Sequence, residues 1–105
     1  MDNLQVLNDA LGVVAEDGIA KVSSRKVAEQ FGKRHDHILR DLQILADPKS
    51  GASEEFIQSN FERGYYKDST GRKLPEYLLT RDGFTMLVMG YTGKRALRFK
   101  EAYIR

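Results

Sequence analysis

Apolar residues recur along this chain in two different periods. Over residues 23–45, "SSRKVAEQFGKRHDHILRDLQIL", they fall at helical spacing. Val27, Ala28 and Phe31 form one inward group, and Ile38, Leu42 and Leu45 form the next at i, i+4 and i+7, with Leu39 on the shoulder. Ser23 or Ser24 is suited to cap the first helix, which runs to about Phe31, and Gly32 to end it in a left-handed conformation. The second helix starts near Arg34 or His35. The pattern predicts two short helices joined by a tight turn.

Shorter periods flank this unit. Apolar runs at residues 4–7, 11–14 and 19–22, with "EDG" between the last two, predict a β-hairpin. Residues 46–55, "ADPKSGASEE", read as a loop inside one domain. In "GYYKDSTGRKLPEYLL" two strands are expected over 64–68 and 74–79 with a turn containing Gly71, and Pro75 predicts an edge position for its strand. Tyr65 and Tyr66 then lie on opposite faces, so at least one is expected in the core. Thr80 caps a further helix carrying Phe84, Leu87, Val88 and Tyr91 inward, which Gly90 and Gly93 break. Thr92 is placed to cap a last helix with Ala96, Phe99 and Tyr103 on its apolar side. That helix reaches residue 105 without a stop signal, as in a piece of a longer protein. Residues 1–105 are read as a single domain of α+β class, winged-helix-like, with a helix-turn-helix and β-hairpins.

Composition narrows the function classes. A length of 105 residues with 41% hydrophobic side chains supports one modest core. The absence of Cys removes disulfides and thiolate metal sites. Acids without a basic region at the start argue against a signal peptide, and no apolar run approaches membrane-span length, so a cytoplasmic protein with no membrane partner is expected. The net charge of +2 conceals a sorted distribution: residues 1–20 carry four acids and no base, residues 63–105 ten bases and four acids. Such sorting can make a basic face on a nearly neutral protein.

The "HDH" triplet invites three readings. Histidines at i and i+2 on a helix point about 200° apart, so His35 and His37 cannot share one metal, and no cofactor is implied. Catalysis lacks a thiol or a serine in a nucleophile setting, which argues against an enzyme. Nucleic-acid reading accounts for more of the stretch. With Ile38, Leu42 and Leu45 inward, the opposite face carries Asp36, His37, Arg40 and Gln43, and Lys33 and Arg34 precede the helix, where a phosphate finds favourable dipoles. Lys33 and Asp41 depart from a classical helix-turn-helix, which has apolar residues there. The blander reading makes Asp36 and Arg40 a surface i, i+4 pair and leaves the histidines solvated or capping the helix. Lys67, Arg72 and Lys73 at or beside the hairpin tip could track phosphates or a minor groove. "GYTGKRALRFK" lacks phosphate-loop spacing, so Lys94, Arg95, Arg98 and Lys100 are assigned to the solvated side of the last helix.

Three segments together resemble the phage regulatory protein Rha family: "VSSRKVAEQFGKRHDHILRDL", the "NF" at Asn60 and Phe61, and "YYKDSTGRKLPEYLLTRDGFTMLVMGYTGKRALRFKEAYI". The resemblance implies a phage or prophage regulator whose shared part is a small α+β module similar to the DNA-binding modules of phage antirepressors. Carried onto this chain, it implies a recognition segment over residues 33–41 and a wing over 67–73, with "TRDGF" starting a helix. The first twenty residues show no motif of that family. The expected partner is double-stranded DNA in a bacterial nucleoid, contacted by His35, His37, Arg40 and Gln43 with Lys33 and Arg34, and held at phosphates by Lys26, Lys67, Arg72 and Lys73. Protonation of His35 and His37 near pH 6 to 7 would then tune affinity. Pairing of two copies is compatible with this reading. The alternative from another class is an interaction module that binds a phage or host regulatory protein through the same "KRHDH" face.

Overall fold

A computed structural model of the chain describes residues 14–16 and 19–104. The apolar run at residues 4–7, the Asp17 and Gly18 turn positions and the Tyr103 side chain lie outside the described residues. The described fold is α+β, with a four-stranded antiparallel sheet in the order β1-β2-β4-β3 and five α-helices. Strands β1 (Val14–Glu16) and β2 (Ile19–Ser23) pair as the expected hairpin. Helices α1 (Ser24–Phe31) and α2 (His35–Leu45) follow. After a 3-10 turn at Pro48–Ser50 comes α3 (Glu54–Asn60), then β3 (Phe61–Lys67), β4 (Lys73–Leu79), α4 (Arg81–Met89) and α5 (Lys94–Ile104).

The core follows the apolar periodicity closely. Val27, Ile38, Leu42, Leu79, Phe84 and Val88 are buried, and Ala28, Leu87, Tyr91, Ala96 and Phe99 complete the helical side. Phe84 meets Phe99 edge to face at 4.8 Å between ring centroids. Ser23 caps α1 by accepting the Arg25 N–H, and Gly32 takes φ 63°, a conformation that lets the chain reverse into α2 in three residues.

The structure departs from the expectations at five points, the last of them Pro75. The loop expected over residues 46–55 ends at Ser53, which caps α3 by accepting the Phe56 N–H at 3.1 Å, so Glu54 and Glu55 are helical; seven residues are too few to show a periodic apolar face. The last helix begins at Lys94 with the Leu97 N–H on the Gly93 carbonyl, so Gly93 rather than Thr92 stands at its cap. Lys100 is not on the solvated side: it donates to the Tyr91 carbonyl at 2.7 Å. Neither Tyr65 nor Tyr66 is in the buried core, a place taken in this ribbon by Tyr77.

Pro75 lies on β4, which is an interior strand of the sheet order and not the edge strand expected. Pairing with β2, however, reaches only Leu78 and Leu79. The Tyr77 N–H points away from β3, to the Ser24 hydroxyl, and by strand alternation the Pro75 nitrogen points the same way, beyond the reach of β2. The proline therefore removes no ladder hydrogen bond.

The start of α4 is fastened to the end of α3. The Thr80 hydroxyl accepts the Gly83 N–H at 3.2 Å and donates to the Asn60 side-chain oxygen at 2.5 Å. The Thr80 N–H reaches the Asn60 carbonyl, and the Asn60 amide donates to the Phe56 carbonyl. The approach is so close that a Cβ on Gly83 would stand 2.4 Å from the Asn60 carbonyl oxygen. "NF" and "TRDGF" are thus two halves of one structural clasp.

Candidate nucleic-acid interface

The two edges of α2 have opposite environments because its apolar residues repeat every three to four positions. Ile38 and Leu42 are fully buried, while Asp36, His37, Arg40 and Gln43 are exposed. Arg40 has no ion-pair partner among the described residues. The Asp36–Arg40 pair of the blander reading is not made: Arg34 instead forms a two-pronged ion pair with Asp36, both contacts at 3.1 Å. Desolvation opposes ionisation of Asp36, yet the Arg34 charge, His37 and the Arg34 hydrogen bond hold it below the usual carboxylate range.

His35 and His37 have separate environments. His35 is half-buried, and its Nε2 shares a 2.8 Å hydrogen bond with the Ser24 hydroxyl, which also accepts the Tyr77 N–H. Burial, then the neighbouring Arg25 guanidinium, pushes the His35 imidazole below its ordinary range, against the opposing charges of Glu76 and Asp36. His35 thus ties α2 to α1 and β4, whereas His37 faces outward.

The hairpin ribbon β3-β4 meets the start of α2 through Tyr66. The Arg25 guanidinium stacks 3.8 Å from the Tyr66 ring centroid, and His35 approaches the same ring edge-on. Arg25 was not anticipated from the sequence, since a basic residue in the first turn of α1 carries no signal for a contact 41 positions away. At the ribbon tip Asp68 organises the turn. It accepts from the Thr70 hydroxyl and N–H and from the Arg72 N–H, and pairs with the Arg72 side chain at 3.0 Å. The Thr70 and Arg72 hydrogen bonds hold its carboxyl down to about 2.

The remaining expected residues divide. Lys67 and Lys73 face each other across the ribbon, both exposed, and Lys73 reaches over the Tyr65 ring. Lys26 pairs with Glu29 on α1. Lys33 lies over the Tyr91 ring, 4.5 Å from its centroid, and the buried Tyr91 hydroxyl faces Asp41. Burial first, and Asp41 second, push that hydroxyl up, so it stays protonated. One aromatic side chain thus accommodates both polar residues that depart from the classical pattern. Among the described residues no group of three metal-ligating side chains converges, and no helix is long and apolar enough to cross a membrane.

The family model for phage regulatory protein Rha matches residues 22–105, which includes α1, α2, the clasp and the ribbon. The chain belongs to the phage regulatory protein Rha family. Among its relatives, an uncharacterised Haemophilus influenzae protein is 45% identical over 83 residues, covering 79% of this chain and 47% of that protein. The SPbeta prophage-derived protein YoqD of Bacillus subtilis, whose name assigns it provisionally to the antirepressors, is 38% identical over 98 residues, 90% of this chain and 37% of YoqD. An uncharacterised 22.8 kDa protein from the gp15-gp3 intergenic region of Salmonella phage P22 is 35% identical over 95 residues, 88% of this chain and 45% of that protein. The chain spans less than half the length of these curated relatives. No solved structure matches it.

Proposed function

We propose that this Rha-family domain binds double-stranded DNA as a winged-helix-like module of a phage regulator. In this reading α1 and α2 form the helix-turn-helix, and the β3-β4 ribbon is the wing. The observation that carries the reading is the juxtaposition at the start of α2, where Arg25, His35 and Tyr66 bring the ribbon alongside the helix whose outward face holds His37, Arg40 and Gln43. Those side chains suit groove hydrogen bonding, with Arg40 able to address guanine by two donors. Lys67 and Lys73 supply phosphate contacts, which set affinity and its salt dependence rather than sequence choice. Within this reading His35 acts through position. Burial, with the Arg25 charge second, disfavours its protonation, and Ser24 engages its Nε2, which leaves His37 as the triplet's contact residue.

Selection from a random duplex pool at low and moderate salt, followed by sequencing, tests the reading. An enriched motif is expected, and Arg40→Ala should cost about 1 to 3 kcal/mol on it and relax the preference at one position. Equal weakening on every sequence would remove the base-reading role of Arg40. A second reading, docking of a regulatory protein, draws on a different observation: Ile44 is 60% exposed and Met86 44% exposed, and both line a groove between α2 and α4 with Tyr91 and Asp41. Retention of duplex that is insensitive to salt, or absent, would favour that reading, because counterion release gives a log-log slope of about −0.9 per phosphate neutralised.

A further inference from the structure

The register of the β3-β4 ribbon sorts its charge between two faces. Phe61, Arg63, Tyr65 and Lys67 pair with Leu79, Tyr77, Pro75 and Lys73, so these eight side chains share one face. The other face holds Glu62, Gly64 and Tyr66 with Leu78, Glu76 and Leu74. The first face therefore has three bases and no acid, and the second has two acids and no base.

The acidic face is committed to the protein itself. Glu62 pairs with Lys21 at 3.3 Å, Glu76 accepts the Ser23 hydroxyl, and Tyr66 lies under Arg25. On the basic face the base of the ribbon is closed by Phe61, Leu79 and Tyr77, all buried. Beyond them the ribbon projects with Arg63, Tyr65, Lys67 and Lys73 exposed, and none of the three bases has an ion-pair partner among the described residues. Tyr65 is 54% exposed, and the Lys73 ammonium lies over its ring, 4.5 Å from the centroid. Two adjacent tyrosines are thus used in opposite ways, one to hold the ribbon to α1 and α2 and one displayed among cations.

We propose that this face of the ribbon is a minor-groove contact in which the Tyr65 ring lies against the sugars and base edges while Arg63, Lys67 and Lys73 flank it at the phosphates. The proposal rests on the DNA-binding reading above. Charge complementarity selects the occupant: an aromatic ring bordered by unpaired bases fits a polyanion that offers apolar surface between its charges. Arg72 plays a lesser part, because Asp68 already holds its guanidinium to fix the turn.

The test compares Tyr65→Ala, Tyr65→Phe and Arg40→Ala on the duplex enriched by the wild-type chain, by titration at several salt concentrations and by hydroxyl-radical cleavage. Tyr65→Ala should weaken binding about tenfold while leaving the salt slope unchanged, since it removes apolar ring contact and no charge. It should also uncover the minor-groove sugars protected by the ribbon. Tyr65→Phe should retain the affinity and the footprint. Unfolding midpoints of all variants establish that the fold is intact. If Tyr65→Ala binds like wild type while Arg40→Ala does not, the ribbon proposal falls and the DNA reading stands. If Tyr65→Ala alone loses binding, the ribbon contact stands and the role of Arg40 falls. A wild-type chain that retains no duplex overturns both.

Discussion

Residues 80–84, "TRDGF", and residues 33–41, "KRHDHILRD", are both polar, motif-like stretches at the start of a helix, yet the fold uses them differently. In the first, Thr80 and Gly83 turn inward to Asn60, and the segment is spent on joining α3 to α4. In the second, Ile38 and Leu42 hold the helix, and the polar residues between them are left outward. A sequence motif matched across a family therefore mixes two kinds of residue. Only their neighbours in space separate those that build the domain from those free to meet another molecule.

The largest effect should come from the core side of α2. Leu42→Ala should destabilise the domain by about 2 to 5 kcal/mol, read from denaturant midpoints, because a fully buried leucine leaves a cavity. Gly83→Ala comes next. The added Cβ meets a backbone oxygen that cannot swing aside, so a loss of about 2 kcal/mol is expected despite the better helix propensity of alanine. A variant as stable as wild type would show that the clasp yields. On the outward side of α2, Arg40→Ala should change stability by less than about 0.5 kcal/mol, so a loss of DNA affinity there would be a loss of contact and not of fold.

The smallest effect sharpens the contrast between His35 and His37. The folded chain holds the His35 imidazole below its usual 6.5, so the unfolded chain takes up the proton first. The neutral ring's contribution is then fully present above that value and is lost as pH falls from it toward the folded pKa. Stability should decline over that acidic window, and His35→Gln should flatten the decline while His37→Gln leaves it in place. An unchanged slope in His35→Gln, measured by urea denaturation between about pH 7.5 and 5.5, would remove the burial argument.

Much of the architecture was legible because it rests on local periodicity. The inward sets of α1, α2 and α4, the Ser23 and Thr80 caps and the turn at Gly32 follow from spacing and residue type alone. Helix α3 is not legible from periodicity because it spans under two turns, although Ser53 followed by Glu54 and Glu55 is a start signal. The site was legible only as a set of polar residues. The Asp36–Arg40 pair of the blander reading gives way to Arg34–Asp36, and Lys33 turns to Tyr91, because side-chain reach and a ring 58 positions away decide such pairings.

By itself the sequence determined the principal helix faces, the Ser23 and Thr80 caps and the family, since backbone conformation and amphipathic burial depend on residues within a few positions of one another. Tertiary structure decided which polar side chains are already occupied. It assigned His35 to Ser24, Tyr66 to Arg25 and Arg72 to Asp68, and through strand register it gathered Arg63, Tyr65, Lys67 and Lys73 onto one open face. The physical reason is that hydrogen bonds, ring contacts and ion pairs act over a few ångströms of space. Chain spacing carries little information about those distances once the strands have paired.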